Sequence, residues 1–207
     1  MLADDEANKD RTTQKNWFNH LLFNTEGSRF IFLHRWKANS KKDVGGFATL
    51  MYTSDLEGKD IRLIDPSNYT SHFIWRDKNH ITAWTRQPSH GPGFYVFTDG
   101  KPDETYVLNQ EKMPVNGHNT YLPKHPDWIL NDSYPDKNRF QHVFLYNVRT
   151  DEKIPLGDFY APPVYKGEWR CDTHPRSDRK GKLVCIDCPV GNTGRQLILM
   201  DISEISE

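Results

Sequence analysis

The chain has 207 residues, with 27 basic and 28 acidic side chains and a formal net charge of −1. Nucleic-acid-binding and membrane-surface proteins usually carry a one-sided basic excess, so we expect no nucleic-acid or membrane partner. The apolar runs are at most four residues long, whereas a membrane helix needs roughly 20. The acidic N-terminus lacks the apolar core of a signal peptide, and we therefore expect a cytoplasmic protein.

Aromatic residues and turn formers dominate the composition. Phe, Trp and Tyr make up 13% of the chain, and 13 Gly and 13 Pro are spread along it. This mixture favours short strands and turns over helices. Three cysteines are too few, and odd in number, for a disulfide-built secreted domain.

Residues 1–16 are polar and charged without apolar periodicity, which predicts a flexible N-terminal segment. From Trp17 onward the sequence repeats four times, and each repeat begins with a histidine near an aromatic or proline-rich stretch. These marker histidines are His20, His72, His118 and His174. Neighbouring markers are about 50 residues apart, within the range typical of repeat architectures.

Strand-like segments follow each marker histidine. Third strands are predicted at 49–58, 93–100, 140–150 and 195–203, and short fourth strands at 60–65, 105–109 and 153–157. Four strands per repeat predict an all-β protein, a β-propeller of about four four-stranded antiparallel blades. We place the blades at 17–66, 67–112, 113–165 and 166–207. A generic antiparallel sandwich is the alternative, but it gives no reason for the same marker to return in each unit.

The fourth repeat stops after its third strand, which predicts open sheet edges. Two interpretations follow: the chain is the C-terminal part of a larger propeller, or two copies close one ring. We favour the first. Open edges also predict edge-to-edge self-association when the chain stands alone.

The first strand of each blade lines the central channel of a propeller, so we expect the four marker histidines to meet at one end of it. Neutral imidazole is a common ligand of transition metals. Asp172 lies two residues before His174 and shares its strand face. We therefore predict a metal site made of His72, Asp172 and His174. The alternative is that the histidines only tie neighbouring blades together.

Arginines lie near the same markers. They are Arg35, Arg76, Arg170 and Arg176. A guanidinium recognises a carboxylate through two parallel hydrogen bonds, so we expect these residues, with His118, to bind an anionic substrate. The alternative is that they form ion pairs at blade edges, with partners Asp77, Asp132 or Asp178.

The order of several motifs resembles that of the oligogalacturonate lyases. These motifs are Trp17-Phe18-Asn19-His20, Ser71-His72-Phe73-Ile74-Trp75, Gly117-His118 and Asp172-Thr173-His174-Pro175. The family consists of seven-bladed propeller enzymes that cleave short pectin fragments, and the resemblance covers residues 17–203. It implies that this chain corresponds to about the four C-terminal blades.

The resemblance also implies a reaction. In this family a Mn²⁺-type cation binds the uronate carboxylate and a histidine removes the C5 proton in a β-elimination. His20 matches the catalytic base, and His72 and His174 match metal ligands. Asp172 and Trp169 stand where the family has a histidine and a glutamine ligand. The expected partner is an acidic oligosaccharide. The alternative function is a non-catalytic, TolB- or WD40-like propeller that binds protein or sugar.

Overall fold

The computed structural model describes residues 15–37, 47–191 and 193–205. The predicted flexible segment falls largely on residues 1–14, outside the described residues, and the first strand begins at Asn16. Across the described ranges there is no helix with the length and apolar character needed to span a membrane.

The described chain is built from antiparallel sheets in which each strand pairs with the next in sequence. Blade 1 comprises β1 (Asn16–Phe23), β2 (Arg29–Trp36), β3 (Ala48–Asp55) and β4 (Ile61–Asn68). Blade 2 comprises β5 (Phe73–Trp75), β6 (His80–Gln87), β7 (Gly91–Thr98) and β8 (Lys101–Val107). Blade 3 comprises β9 (Thr120–Leu122), β10 (His125–Asn131), β11 (Phe140–Asn147) and β12 (Lys153–Tyr160). Blade 4 comprises β13 (Arg176–Ser177), β14 (Leu183–Pro189) and β15 (Arg195–Asp201).

The predicted all-β propeller fold is confirmed. Within the described residues, the fourth blade has three strands where the other three have four. A 3₁₀ turn at Gly167–Trp169 lies between blades 3 and 4.

The middle strands of blades 1 to 3 are largely buried on both faces. Successive side chains of a strand point to opposite faces, and in β7 both alternating sets are apolar. Tyr95 and Phe97 pack against blade 1, while Phe94 and Val96 pack against blade 3. Blade 2 is therefore held by the hydrophobic effect from two sides, and contacts of this kind stack the blades around a common axis.

Each apolar cluster of this kind joins two consecutive blades: blades 1 and 2, blades 2 and 3, and blades 3 and 4. Among the described residues no cluster joins blade 4 to blade 1. The last strand, β15, leaves Leu197 and Leu199 exposed by 75% and 66%. Within the described residues, the apolar clusters thus link the four blades in an arc that runs from blade 1 to blade 4.

Turns between the first two strands of a blade are fixed by short polar side chains. Asp77 Oδ1 accepts hydrogen bonds from the backbone N–H groups of Asn79 and His80. Asp178 Oδ1 accepts equivalent bonds from the N–H groups of Lys182 and Leu183. Both aspartates therefore stabilise turns. Among the ion pairs of the described residues, neither aspartate pairs with one of the arginines near the marker histidines, which was the alternative for those arginines.

The inter-blade packing predicts a large cost for Leu145→Ala. Leu145 is fully buried between blades 3 and 4, and truncating such a leucine lowers the free energy of unfolding by about 2–5 kcal/mol. Urea denaturation followed by tryptophan fluorescence measures this change. The control Leu56→Ala removes a leucine that is 58% exposed in a turn and is expected to change stability by less than about 0.5 kcal/mol. Equal losses in the two variants would contradict the packing described.

Candidate functional site

A cavity of about 720 Å³ opens where the innermost strands of the blades begin. Blade 1 contributes His20 and Arg35, and blade 2 contributes Ser71 and His72. The later blades contribute His118, Tyr134, Arg170, His174 and Arg176. All four marker histidines thus line one cavity, as the repeat predicts.

Three of the imidazole rings lie side by side in the cavity. The ring centroids of His72 and His118 are 4.3 Å apart, and those of His118 and His174 are 4.0 Å apart. The ring of His20 lies 6.5 Å from that of Phe73. Its φ of 55° lies in the left-handed region, at an irregularity in the pairing of β1 with β2.

His118 is oriented by a buried carboxylate. Its Nδ1 lies 3.0 Å from both carboxylate oxygens of Asp132, and its backbone N–H donates to Asp132 Oδ1 at 2.6 Å. Because an ionised carboxylate only accepts, Nδ1 carries a proton and is the donor, which leaves Nε2 as the nitrogen that could bind a metal ion. Burial acts to raise the pKa of Asp132, but hydrogen bonds from His118 and Thr173 hold that pKa below its ordinary value.

The same carboxylate also binds blade 4. Asp132 Oδ2 accepts hydrogen bonds from Thr173 Oγ1 at 2.5 Å and from the backbone N–H of His174 at 3.1 Å. His174 has φ of 40°, a conformation that costs a non-glycine residue about 1–2 kcal/mol. This strained backbone, set immediately before Pro175, is held in place partly by the bond to Asp132.

Three side chains near the junction of blades 3 and 4 could together bind a divalent metal ion. One ligand atom each of His118, Asp172 and His174 lies within 4.8 Å of the other two. Sequence reasoning assigned His72 to the metal and His118 to the substrate, and the structure places His118 in the group instead. The reason is geometric: His118 lies on blade 3, directly beside blade 4, whereas His72 is one blade further away.

Asp172 is prepared for a cation. Its side chain is buried, and its Oδ2 accepts hydrogen bonds from Arg170, whose Nε lies 2.8 Å away and whose Nη2 lies 2.7 Å away. Its buried Oδ1 has no hydrogen-bond partner in the part of the chain that the structure describes. A buried, unsatisfied carboxylate oxygen is costly, and a metal ion would satisfy it.

His72 is held by an amide. Its Nδ1 lies 2.9 Å from Asn116 Oδ1, and Asn116 Nδ2 donates to Ser71 Oγ at 3.1 Å. Since an amide oxygen only accepts, the proton sits on Nδ1 and Nε2 is the basic atom. Burial lowers the pKa of His72 to about 4, so the ring is neutral at pH 7. Sequence reasoning missed Asn116, because its distance from His72 along the chain gave no signal.

Three of the four predicted arginines reach the cavity: Arg35, Arg170 and Arg176. Burial lowers the pKa of Arg35, and its guanidinium stacks on the Phe47 ring at 4.9 Å. Arg170 stacks on Tyr134 at 5.0 Å. The cavity wall is therefore rich in guanidinium donors.

Arg76 is not brought to the cavity. It follows the three-residue strand β5, at the opposite end of that strand from His72, a separation of about 13 Å in extended chain. There it pairs with Asp127 on blade 3 at 3.2 Å. Arg76 therefore forms an ion pair between blades, which was the alternative to substrate binding. Its partner is Asp127 rather than one of the three predicted aspartates.

No known protein-family model matches the chain, and no curated protein matches it in sequence. Solved structures match in fold. Oligogalacturonate lyase from Vibrio parahaemolyticus aligns over 95% of this chain and 53% of its own, with a TM-score of 0.59 and 13% identity. TolB from Acinetobacter baumannii aligns over 91% and 52%, with a TM-score of 0.56 and 12% identity. The tricorn protease aligns over 89% and 21%, with a TM-score of 0.60 and 11% identity.

The chain has the propeller fold of oligogalacturonate lyase and TolB. It spans about half the length of those two structures. At these identities the likeness establishes the fold, and any activity has to be argued from the cavity.

The geometry around His118 predicts that Gly117→Ala disrupts the site. A Cβ on Gly117 would lie 1.9 Å from the Asp132 carbonyl oxygen, so the backbone that carries His118 must shift. We expect a loss of about 1–3 kcal/mol in unfolding free energy, together with a changed His118 signal in ¹H–¹⁵N NMR spectra.

Gly27→Ala is the control. Gly27 has positive φ, but no atom lies within 4 Å of the position that a Cβ would take, so only the backbone cost of about 1 kcal/mol applies. An unperturbed His118 signal in Gly117→Ala would show that the close approach is unimportant.

Proposed function

We propose that this cavity catalyses metal-assisted β-elimination on uronate-containing, pectin-like oligosaccharides. The observation that carries the proposal is the combination of a His118–Asp172–His174 ligand group with three arginines around one cavity. Acidic sugars present carboxylates, which suit both a divalent cation and guanidinium groups. The named activity of the Vibrio parahaemolyticus structure agrees with this chemistry.

The donor set fits a divalent cation such as Mn²⁺. Two imidazole nitrogens and one carboxylate oxygen leave coordination positions for substrate oxygens. Asp132 acts from behind His118 by fixing its protonated nitrogen, as carboxylates commonly do for histidine ligands. When bound, the cation would withdraw electrons from the uronate carboxylate and make the C5 proton more acidic.

Arginines supply the remaining recognition of the substrate. Arg35 lies on blade 1, and Arg170 and Arg176 lie on blade 4 and the segment leading into it. They approach the cavity from opposite ends of the arc, so carboxylates on neighbouring sugar units have separate partners. Tyr134 offers an aromatic face beside Arg170.

His72 is better placed than His20 to be the base. Its ring lies next to the ligand His118, it is neutral at pH 7, and Asn116 holds its Nδ1 so that Nε2 is free to accept a proton. His20, which the family resemblance indicates, lies on blade 1 beside Arg35. Its pKa is lowered by burial and by the charge of Arg35, and we assign it a role in substrate binding.

The elimination needs one proton acceptor and one leaving oxygen. His72 Nε2 takes the C5 proton, and the electrons of the C5–H bond form the C4–C5 double bond. The bond from C4 to the glycosidic oxygen breaks, and that oxygen takes a proton from solvent. Products are a shortened oligosaccharide and an unsaturated uronate.

Ion binding has its own test. We expect the chain to bind Mn²⁺ in isothermal titration calorimetry, and His174→Ala to weaken that binding more than tenfold because a ligand is lost. Asp132→Asn leaves the ligands in place but removes the carboxylate behind His118, and a loss of about 10–100-fold is expected. His90→Ala, an exposed histidine outside the cavity, is the control. Equal affinity in all four proteins would place the ion elsewhere.

The choice of base predicts different effects of two histidine substitutions. With oligogalacturonate and Mn²⁺, formation of the unsaturated product is followed by its ultraviolet absorbance. His72→Ala removes the base and is expected to lower kcat by about 100-fold or more. His20→Ala is expected to raise KM more than it lowers kcat. The reverse pattern would restore His20 as the base.

A non-catalytic function is the second candidate, since TolB shares the fold. In that case the cavity would bind acidic sugar or a protein ligand without turnover. Binding of oligogalacturonate without an unsaturated product, in the presence of Mn²⁺, would select this candidate.

A further inference from the structure

A second cavity, of about 580 Å³, lies between blades 1 and 2 and is lined by residues outside the first cavity. Its walls come from the end of β4 and from the turn that joins β6 to β7. Because strands alternate in direction within a blade, both segments lie at the same end of the blades as His72, which precedes β5. Tyr69 lines the second cavity and Ser71 the first, and two residues span at most about 7 Å.

The charged group of this cavity is Arg86. Its side chain is exposed, and its guanidinium carbon lies 4.8 Å from the centre of the Tyr69 ring. No acidic side chain within 15–37, 47–191 or 193–205 forms an ion pair with it. Stacking on an aromatic ring holds a guanidinium in place while its in-plane N–H donors stay available for a ligand.

The floor of the cavity is rigid. Asp65 is fully buried, and it accepts hydrogen bonds from Ser67 N at 3.0 Å, Gln87 Nε2 at 2.8 Å and Thr85 Oγ1 at 2.5 Å. Tyr69 N in turn donates to Ser67 Oγ at 3.2 Å. These bonds tie the end of blade 1 to blade 2, so Tyr69 and Arg86 are positioned before any ligand arrives.

Much of the remaining wall is apolar. Pro66, Pro88 and the Tyr69 ring line the same cavity as Arg86, together with Ser67, Gln87 and Gly91. A sugar ring that carries a carboxylate matches such a surface, because its C–H faces pack on apolar walls while its carboxylate meets the guanidinium. A small inorganic anion would use the arginine alone and leave the apolar walls in contact with water.

We propose that the Tyr69–Arg86 cavity is a remote subsite that binds a uronate residue of an acidic oligosaccharide whose reacting part occupies the first cavity. The inference rests on the proposed function for the choice of ligand. It adds a specificity element, since only oligosaccharides long enough to span both cavities gain the second contact.

Fluorescence anisotropy with end-labelled oligogalacturonate dimer and hexamer, in EDTA so that no metal-assisted turnover occurs, tests this subsite. The unaltered chain is expected to bind the hexamer at least about tenfold more tightly than the dimer. Arg86→Gln removes most of that difference, and Arg86→Lys, which keeps the charge but not the paired donors, removes part of it. Arg179→Gln, at an exposed arginine on blade 4 outside both cavities, keeps the difference.

Three results would overturn the subsite: a hexamer affinity unchanged by Arg86→Gln, equally tight binding of a fully methyl-esterified hexamer, or no hexamer binding in EDTA. The lyase activity is judged separately, from product formation with Mn²⁺. If hexamer binding depends on Arg86 but no unsaturated product forms, the subsite is supported and the lyase activity is rejected. If product forms but hexamer binding does not depend on Arg86, the lyase activity is supported and the subsite is rejected.

Discussion

Burial of the middle strands on both faces is the constraint from which the rest of the molecule follows. A strand such as β7 contributes Tyr95 and Phe97 to one junction and Phe94 and Val96 to the next. A shift by one residue in its pairing would exchange these two sets and disturb both junctions at once. Neighbouring blades therefore cannot rotate relative to one another. As a result, side chains that are far apart in sequence are held at fixed distances near the axis.

The candidate site combines unlike charges in a small space. Arginines and imidazoles dominate the cavity, while two nearby carboxylates, Asp132 and Asp172, are buried beside it. Asp132 is satisfied by donors from two blades, and Asp172 is satisfied only on the oxygen that faces Arg170. The wall thus offers a cation one carboxylate oxygen and offers anions several guanidinium groups.

Sequence reasoning recovered the fold because the repeat is visible in both spacing and pattern. It also placed the marker histidines at one end of the axis. The prediction that His72 binds the metal and His118 the substrate differs from the group of possible ligands that the structure brings together, and the choice of His20 as the base stays a prediction. His20 lies inside β1 at an irregular pairing, whereas His72 and His118 precede β5 and β9.

Other features of the site carried no signal in one sequence. Arg76 stands close to His72 along the chain, but a short extended strand separates them. Asn116 reaches His72, and Asp132 reaches His174, through the packing of neighbouring blades, and such contacts depend on how the sheets are stacked. The contact between Tyr69 and Arg86 was equally invisible, because Tyr69 lies in the segment between blades 1 and 2 whereas Arg86 lies near the end of β6.

Asp132 couples the unfolding of blade 4 to the candidate metal site. In stacked repeats, a terminal unit contacts one neighbour only and tends to fray first. Among the described residues, the apolar clusters join blade 4 to blade 3 alone, and its entry segment is also fastened to blade 3 by the bonds from Thr173 and His174 to that single carboxylate. The three possible metal ligands lie on both sides of this interface between blades 3 and 4. Separation of blade 4 from blade 3 would therefore also break up the candidate metal site.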